Sequence, residues 1–297
     1  AELAIAAGLP PGILNIVQGN GPETGDALCR HPLIGKITFT GSSRTGAQIM
    51  AASAKTGVKP VTLELGGKSP QIVFADVPDL DKLARLIARS FLGNAGQVCV
   101  AGTRLIVHRS IEAPLVERIA AVARDVKPGP TWCSTTTFSP IISERQAGRI
   151  DSIVGASLAA GAEAVIGAGR LPVDHGGIYY RPTILRSVRT GTPAVEEEIF
   201  GPVLTVQSFE TEEEALSLAD HAVYGLNAGL HTADLNRALR CVRRLQAGTI
   251  WVNRYGRSGD FILPTGGYKQ SGIGKDLGRE AFEANLKSKT VLMDISA

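Results

Sequence analysis

Cysteine is scarce in this sequence, with four in 297 residues, and no two of Cys29, Cys99, Cys133 and Cys241 form a Cys-x-x-Cys pair. That spacing offers neither a zinc ligand set nor a disulfide framework, so no metal is expected and a reducing, cytoplasmic setting is. An excess of one charge is also lacking. Lys and Arg number 31 against 28 Asp and Glu, a net charge of +3. No basic stripe interleaved with aromatics appears, which argues against a nucleic-acid partner. Long apolar runs are missing too: residues 13–17, among the longest, are only strand-sized, so no membrane partner is expected. The opening Ala1-Glu2-Leu3-Ala4 has no basic region followed by an apolar stretch and does not read as a secretion signal. Internal repeats and low-complexity linkers are absent. The 44% hydrophobic and 20% charged content is that of a soluble globular chain, long enough for two domains.

What is present is alternation. The pattern predicts a strand at 13–17, a helix from about 23 to 30, a strand at 36–40, a helix at 43–55 and a strand at 61–65. Alternation of this kind implies βαβ units and a parallel sheet. Over 79–91, Leu80, Leu83, Ile87 and Phe91 share one helical face with Arg and Lys opposite, the mark of a helix packed on a core. Further helices are predicted at 111–126, 144–160, 211–220 and 233–245, and strands at 104–107, 203–208, 229–231 and 249–252. The chain ends in a helical 280–285 and a β-like run over 287–295. It opens in a helix over 1–7, stopped by Gly8 and Pro10-Pro11, without an initiator Met, and so reads as a fragment.

Three stretches carry chemistry. Phe39-Thr40-Gly41-Ser42-Ser43-Arg44-Thr45-Gly46 is an apolar strand end running into a helix, whose free N–H groups form a seat for a diphosphate. The plain alternative is an ordinary turn capped by Ser42 or Ser43. Leu63-Glu64-Leu65-Gly66-Gly67-Lys68-Ser69-Pro70 sets one carboxylate inside an apolar strand, where burial raises its pKa toward the range of a general base. Alternation with Val61, Leu63 and Leu65 equally allows Glu64 to face solvent. In Gly96-Gln97-Val98-Cys99-Val100-Ala101-Gly102, a thiolate in a glycine-flanked loop has backbone N–H groups beside it to hold an oxyanion. A lone cysteine is more often a small buried hydrophobe, and that reading serves for Cys29 and Cys241. Cys133 lies in a loop without an acid or glycine pattern.

Taken in this order, the three stretches resemble the aldehyde dehydrogenases. The resemblance continues through Glu197-Glu198-Ile199-Phe200-Gly201-Pro202, Tyr224-Gly225-Leu226, Gly248-Thr249-Ile250-Trp251-Val252-Asn253 and Pro264-Thr265-Gly266-Gly267-Tyr268-Lys269-Gln270-Ser271-Gly272. Seven motifs in register over nearly the whole chain make it specific. It implies an α/β fold with an incomplete Rossmann-type cofactor part over 1–66, a catalytic domain over 67–270, and a return helix with an oligomerisation tail over 271–297.

The same resemblance implies roles. Cys99 would attack an aldehyde, its own backbone N–H serving as one oxyanion donor, and Glu64 would activate the water that hydrolyses the thioester. NAD or NADP would lie on Gly41, Ser42, Leu65, Gly66, Glu198 and Phe200. Glu198 has a blander reading as part of a solvated acidic cluster with Glu196 and Glu197. Asn253 is expected to hold a loop. Thr265 stands where the family often has a Phe that walls the substrate pocket. The tail at 287–295 would pair with a second copy in a homodimer or homotetramer. Two departures stand out: the family's N-terminal part is missing, and residues 129–140 lack the usual Gly-Asp-Pro pattern. Two other readings stand beside this one: a CoA-acylating relative, which generally lacks a base at the Glu64 position, and a catalytically silent assembly subunit.

Overall fold

The computed structural model describes residues 1–174 and 176–295. It opens with α1 (Glu2–Ala6), a wide turn at Gly21–Gly25, α2 (Asp26–Arg30), β1 (Ile37–Thr40), α3 (Ser43–Lys55) and β2 (Val61–Glu64). Next come β3 (Pro70–Val73), α4 (Leu80–Leu92), β4 (Arg104–His108), α5 (Glu112–Arg124), α6 (Glu144–Ala159) and β5 (Glu163–Ile166). A small hairpin, β6 (Arg170–Leu171) with β7 (Tyr179–Tyr180), precedes β8 (Thr183–Arg186), α7 (Pro193–Glu196), β9 (Val203–Phe209) and α8 (Glu212–Ala219). The chain closes with β10 (Tyr224–Gly225), β11 (Asn227–His231), α9 (Leu235–Arg244), β12 (Thr249–Val252), β13 (Tyr268–Lys269), β14 (Gly272–Ile273) and α10 (Gly278–Glu283).

Two sheets matter for the site. The larger has seven strands in the order β12-β11-β3-β4-β9-β8-β5, parallel throughout except for β5, which pairs antiparallel with β8 at one edge. A parallel sheet needs cover on both faces. One face packs on α4, α5 and α6 through Leu83, Ile87, Phe91, Leu115, Ile119 and Ile150, and the other on α8 and α9 through Leu216, Ala238 and Cys241. Each fully buried Ile or Phe on α4 contributes roughly 1.5–3 kcal/mol. The smaller sheet has the order β1-β2-β14, so a strand from the far end of the chain lies against β2.

Local chemistry sets the helix starts. Ser42 Oγ accepts from Thr45 N–H at 3.2 Å ahead of α3, and Asp79 Oδ1 accepts from Lys82 N–H at 2.9 Å ahead of α4. At α8, Thr211 and Glu214 form a reciprocal capping box.

Most predicted elements are present within a residue or two. The strand expected at 13–17 is not: Ile13, Ile16 and Val17 are more than half exposed, and among the described residues no strand pairs with them. The helix expected at 23–30 begins as the wide turn and becomes α-helical only at Asp26. The β-like run at 287–295 is coil, with Val291, Leu292 and Ile295 exposed, because β-propensity without a partner edge gives no ladder. The closing helix sits two residues earlier than expected, at Gly278–Glu283.

Candidate functional site

Glu64 is the last residue of β2, held between Thr40 of β1 on one side and Gly272 of β14 on the other. Gly41 N–H donates to Glu64 O at 3.0 Å, and Leu65 N–H donates to Ser271 O at 2.9 Å. Ser271, itself fully buried, donates through Oγ to Gly66 O at 2.7 Å and accepts from Gly225 N–H at 3.0 Å. The strand end is therefore fixed from both flanks. Its side chain turns inward: Glu64 Oε1 is sealed from solvent with no hydrogen-bond partner among the described residues. It lies against the backbone of Gly266, where a methyl group would sit 3.1 Å from that oxygen. Burial pushes the Glu64 carboxyl up to about 7, the charge of Asp276 adds to the rise, and Lys275 and Arg257 oppose it.

Cys99 reaches the same place by another route. Beyond α4 the chain turns through Asn94, Ala95 and Gly96, all left-handed with φ of 50°, 52° and 72°. Gln97 locks that turn, donating through Nε2 to Asn94 O and Pro140 O at 3.0 Å each while Oε1 accepts from Ile142 N–H at 2.8 Å. The following turn closes through Ala101 N–H to Val98 O at 3.0 Å, and Tyr255 Oη donates to Val100 O at 2.8 Å. Burial pushes the Cys99 thiol up, the charges of Glu198 and Glu64 push it further, and the N–H groups of Val100 and Cys99 pull it back. One electrostatic neighbourhood thus contains the thiol and both carboxyl groups.

The Gly66-Gly67 pair shows how close these elements come. A Cβ on Gly67 would lie 2.5 Å from Cys99 O, and one on Gly66 would lie 2.5 Å from Glu198 Oε2. A side chain at Gly67 would press on backbone, and one at Gly66 would displace the Glu198 carboxylate. Glu198 Oε1 also accepts from Gly67 N–H at 3.1 Å, and burial raises its carboxyl pKa against the pull of that hydrogen bond and of Lys68. The blander reading of Glu198 as a solvated cluster member does not hold. Phe200 follows in a left-handed conformation, φ 55°, with its carbonyl held by Gln146 Nε2 at 3.0 Å. Thr265 and Asp276 bridge reciprocally at 2.7 and 2.8 Å, which sets Thr265 beside the Gly266 wall of Glu64. Gly41 and Ser42 stand at the start of α3, across β1 from the Glu64 strand. Asn253 bonds both ways to the Thr232 backbone, at 3.0 and 2.9 Å, and holds a loop as expected.

Sequence reasoning passed over four residues that shape this site: Lys68, Gln97, Tyr255 and Ser271. Lys68 is 2% exposed, its Nζ has no hydrogen-bond partner among the described residues, and burial beside Arg104 lowers it to about 7. A lysine and a serine inside otherwise glycine-rich apolar motifs were the available signal for Lys68 and Ser271. Gln97 lay inside the quoted Cys99 motif without being singled out, and Tyr255 acts across the fold and left no local pattern.

A thiol and a carboxyl group of raised pKa, set on separate elements of an α/β frame, are the groups from which a nucleophile and a base can be drawn. The chain belongs to the aldehyde dehydrogenase family, whose model matches residues 1–291. Among solved structures it is similar to an indole-3-acetaldehyde dehydrogenase of P. syringae, a cysteine-to-alanine mutant in complex with NAD+ and IAA. That match has 40% identity and a TM-score of 0.92, and covers 95% of this chain and 57% of that one. An NAD-dependent aldehyde dehydrogenase from Sinorhizobium meliloti matches at 42% identity and a TM-score of 0.91, over 95% and 55% of the two chains. A betaine aldehyde dehydrogenase from Staphylococcus aureus, in complex with NAD+ and a BME-modified cysteine, matches at 36% identity and a TM-score of 0.95, over 100% and 60%. The chain therefore spans 55–60% of the length of these structures. No helix among the described residues is long and apolar enough to cross a membrane.

Proposed function

We propose that this chain carries the chemical centre of an NAD(P)-dependent aldehyde dehydrogenase that converts an aldehyde to a carboxylic acid. The observation that carries the reading is the approach of the Glu64 strand end to the Cys99 turn, with a Glu64 carboxyl that titrates at about 7. Cys99 Sγ bonds to the aldehyde carbon, the thiol proton leaves, and the carbonyl oxygen is held by the Cys99 N–H. Loss of a hydride from that carbon leaves a thioester on Cys99. Glu64 then takes a proton from water as its oxygen bonds to the acyl carbon, the carbon–sulfur bond breaks, and the acid departs.

The residues present fit a dinucleotide. Gly41 and Ser42 stand at a helix N-terminus that favours phosphate, Leu65 leads into Gly66, which faces Glu198, and the left-handed Phe200 lies two residues beyond that carboxylate. Bound there, NAD(P)+ supplies the two-electron acceptor. Two of the similar structures are themselves complexes with NAD+. Pairing of the exposed run 287–295 with a second copy's sheet would build a homodimer or homotetramer.

The test follows NAD(P)H formation at 340 nm with an aldehyde and NAD(P)+. Cys99→Ala should abolish it, and Glu64→Gln should accumulate an acyl-enzyme visible by mass spectrometry. Normal turnover in Cys99→Ala would refute the reading. A second reading is a silent assembly subunit. It predicts no NADH binding in a fluorescence titration.

A further inference from the structure

The seven-stranded sheet has a switch point between β3 and β11. These strands are neighbours, yet β3 leads through α4 on one face to β4, and β11 leads through α9 on the opposite face to β12 on the other side. Where adjacent strands send their connections apart, a crevice opens beyond their carboxyl ends, and open α/β sheets bind ligands there. In this chain that crevice is a cavity of about 600 Å3, within the range of small-molecule sites. Val77 and Pro78, just past β3, form one wall, and Thr232 and Ala233, just past β11, form another.

Its chemistry is lopsided. Lys82, Arg85 and Arg89 recur at helical spacing along α4 and all line the cavity, with Leu86 between them. Among the described residues none of these three cations takes part in an ion pair. The carboxylates nearby are committed elsewhere. Asp79 caps α4, and Asp76 accepts from Thr232 Oγ1, from the N–H groups of Ala233 and Asp234, and pairs with Arg237. Arg254, on the far wall, is held by Gly256 O and Ser258 Oγ. His231 at the base is buried and bonded to Gln71 Oε1 at 3.2 Å, and burial lowers it to about 4, so it adds no charge at neutral pH.

We propose that this crevice binds an amphipathic carboxylate: an apolar chain of several carbons lies along Val77 and Leu86, and its head group pairs with the Lys82–Arg85–Arg89 row. The row supplies charge-assisted donors, three cations against the single carboxylate of Asp79, which lies within the field of Lys82 and Arg85 but is engaged by the Lys82 N–H, and an arginine fork matches a carboxylate in geometry. The 13 residues of α4 span about 20 Å: the crevice begins at the Asp79 end, away from Cys99, and runs along the helix to Arg89, three residues before its end at Leu92. The proposal rests on the α4 row and the walls past β3 and β11, and uses no atom of Cys99 or Glu64.

The experiment is calorimetric titration of the protein with octanoate, with octanol and acetate as probes that lack the charge and the chain. Octanoate should saturate one site and bind at least about tenfold more tightly than either control. The double variant Arg85→Gln/Arg89→Gln changes exposed helix positions and, checked by circular dichroism for an unchanged fold, should lose about tenfold or more. Cys99→Ala should bind octanoate like the parent. Absent saturable binding, equal affinity for octanol, an unaltered double variant, or loss of binding in Cys99→Ala would each overturn the proposal.

Discussion

Replacing Glu64 with Gln removes a single titrating proton from the site and leaves its shape nearly unchanged, so it isolates the cost of ionising that carboxyl group. In the folded chain Glu64 titrates at about 7, against an ordinary value of 4.5, chiefly because of burial. Between those two pH values the folded state holds a proton that the unfolded chain has released, so stability falls as pH rises through the window. The displacement sets a ceiling of roughly 3 kcal/mol. Since the side chain is only half buried, solvent screening reduces the expected loss to about 1–2 kcal/mol. The glutamine variant carries no such loss. Urea unfolding followed by tryptophan fluorescence should therefore show the two proteins equally separated in stability from pH 3 to 4.5. The variant should then gain about 1–2 kcal/mol on the parent by pH 8.5. A difference that is flat across pH, or that favours the parent at high pH, would refute the claim that Glu64 is desolvated without a compensating partner.

Gly67→Ala would drive a methyl group to 2.5 Å from Cys99 O and should destabilise by about 1–3 kcal/mol in thermal melts. Gly148→Ala in α6, with open space around it, should stabilise by roughly 0.5–1 kcal/mol and serves as the control. Lys68→Met should remove a pH slope opposite in sign to that of Glu64. Lys68 is lowered to about 7, so the folded state holds fewer protons than the unfolded chain between there and 10.5, and stability rises with pH by at most about 1.4 kcal/mol per unit. Urea midpoints at pH 7 and 9.5 would show whether that slope is lost. With iodoacetamide at pH 7, peptide mapping should find the exposed Cys133, whose pKa is lowered by Thr135, modified before Cys99. The buried Cys29 and Cys241 should react only on unfolding.

How much could be read in advance depended on whether the signal was local. Helices such as α3 and α4 announce themselves through a cap and an apolar face, and both lie within a residue of their predicted bounds. Strand β3 was missed because all four of its residues are buried, including Gln71, so nothing alternates, and because it opens on Pro70. The run at 13–17 failed for the converse reason. It has strand composition, but a ladder is a property of two segments, and none of the described strands lies beside it. At the site, Cys99 and Glu64 were legible because each sits in a compact motif. The raised pKa of Glu64 was anticipated, but Asp276 as a contributor was not, since 212 positions separate the two.

The two groups so identified do not titrate independently. The negative charge of Glu64 raises the thiol pKa of Cys99, and each lies in a setting that resists any charge at all. Ionising one makes ionising the other harder, so removal of a proton from this pair is a property of the pair. Glu64, with the lower value, loses its proton first, and the resting state at pH 8 is a carboxylate beside a neutral thiol. A base beside a protonated nucleophile can accept that nucleophile's proton at the moment sulfur bonds to carbon, when the product carries no charge on sulfur and the mutual repulsion has vanished. On the function proposed above, a raised thiol pKa would protect Cys99 from adventitious alkylation while leaving it reactive toward an electrophile that is correctly seated.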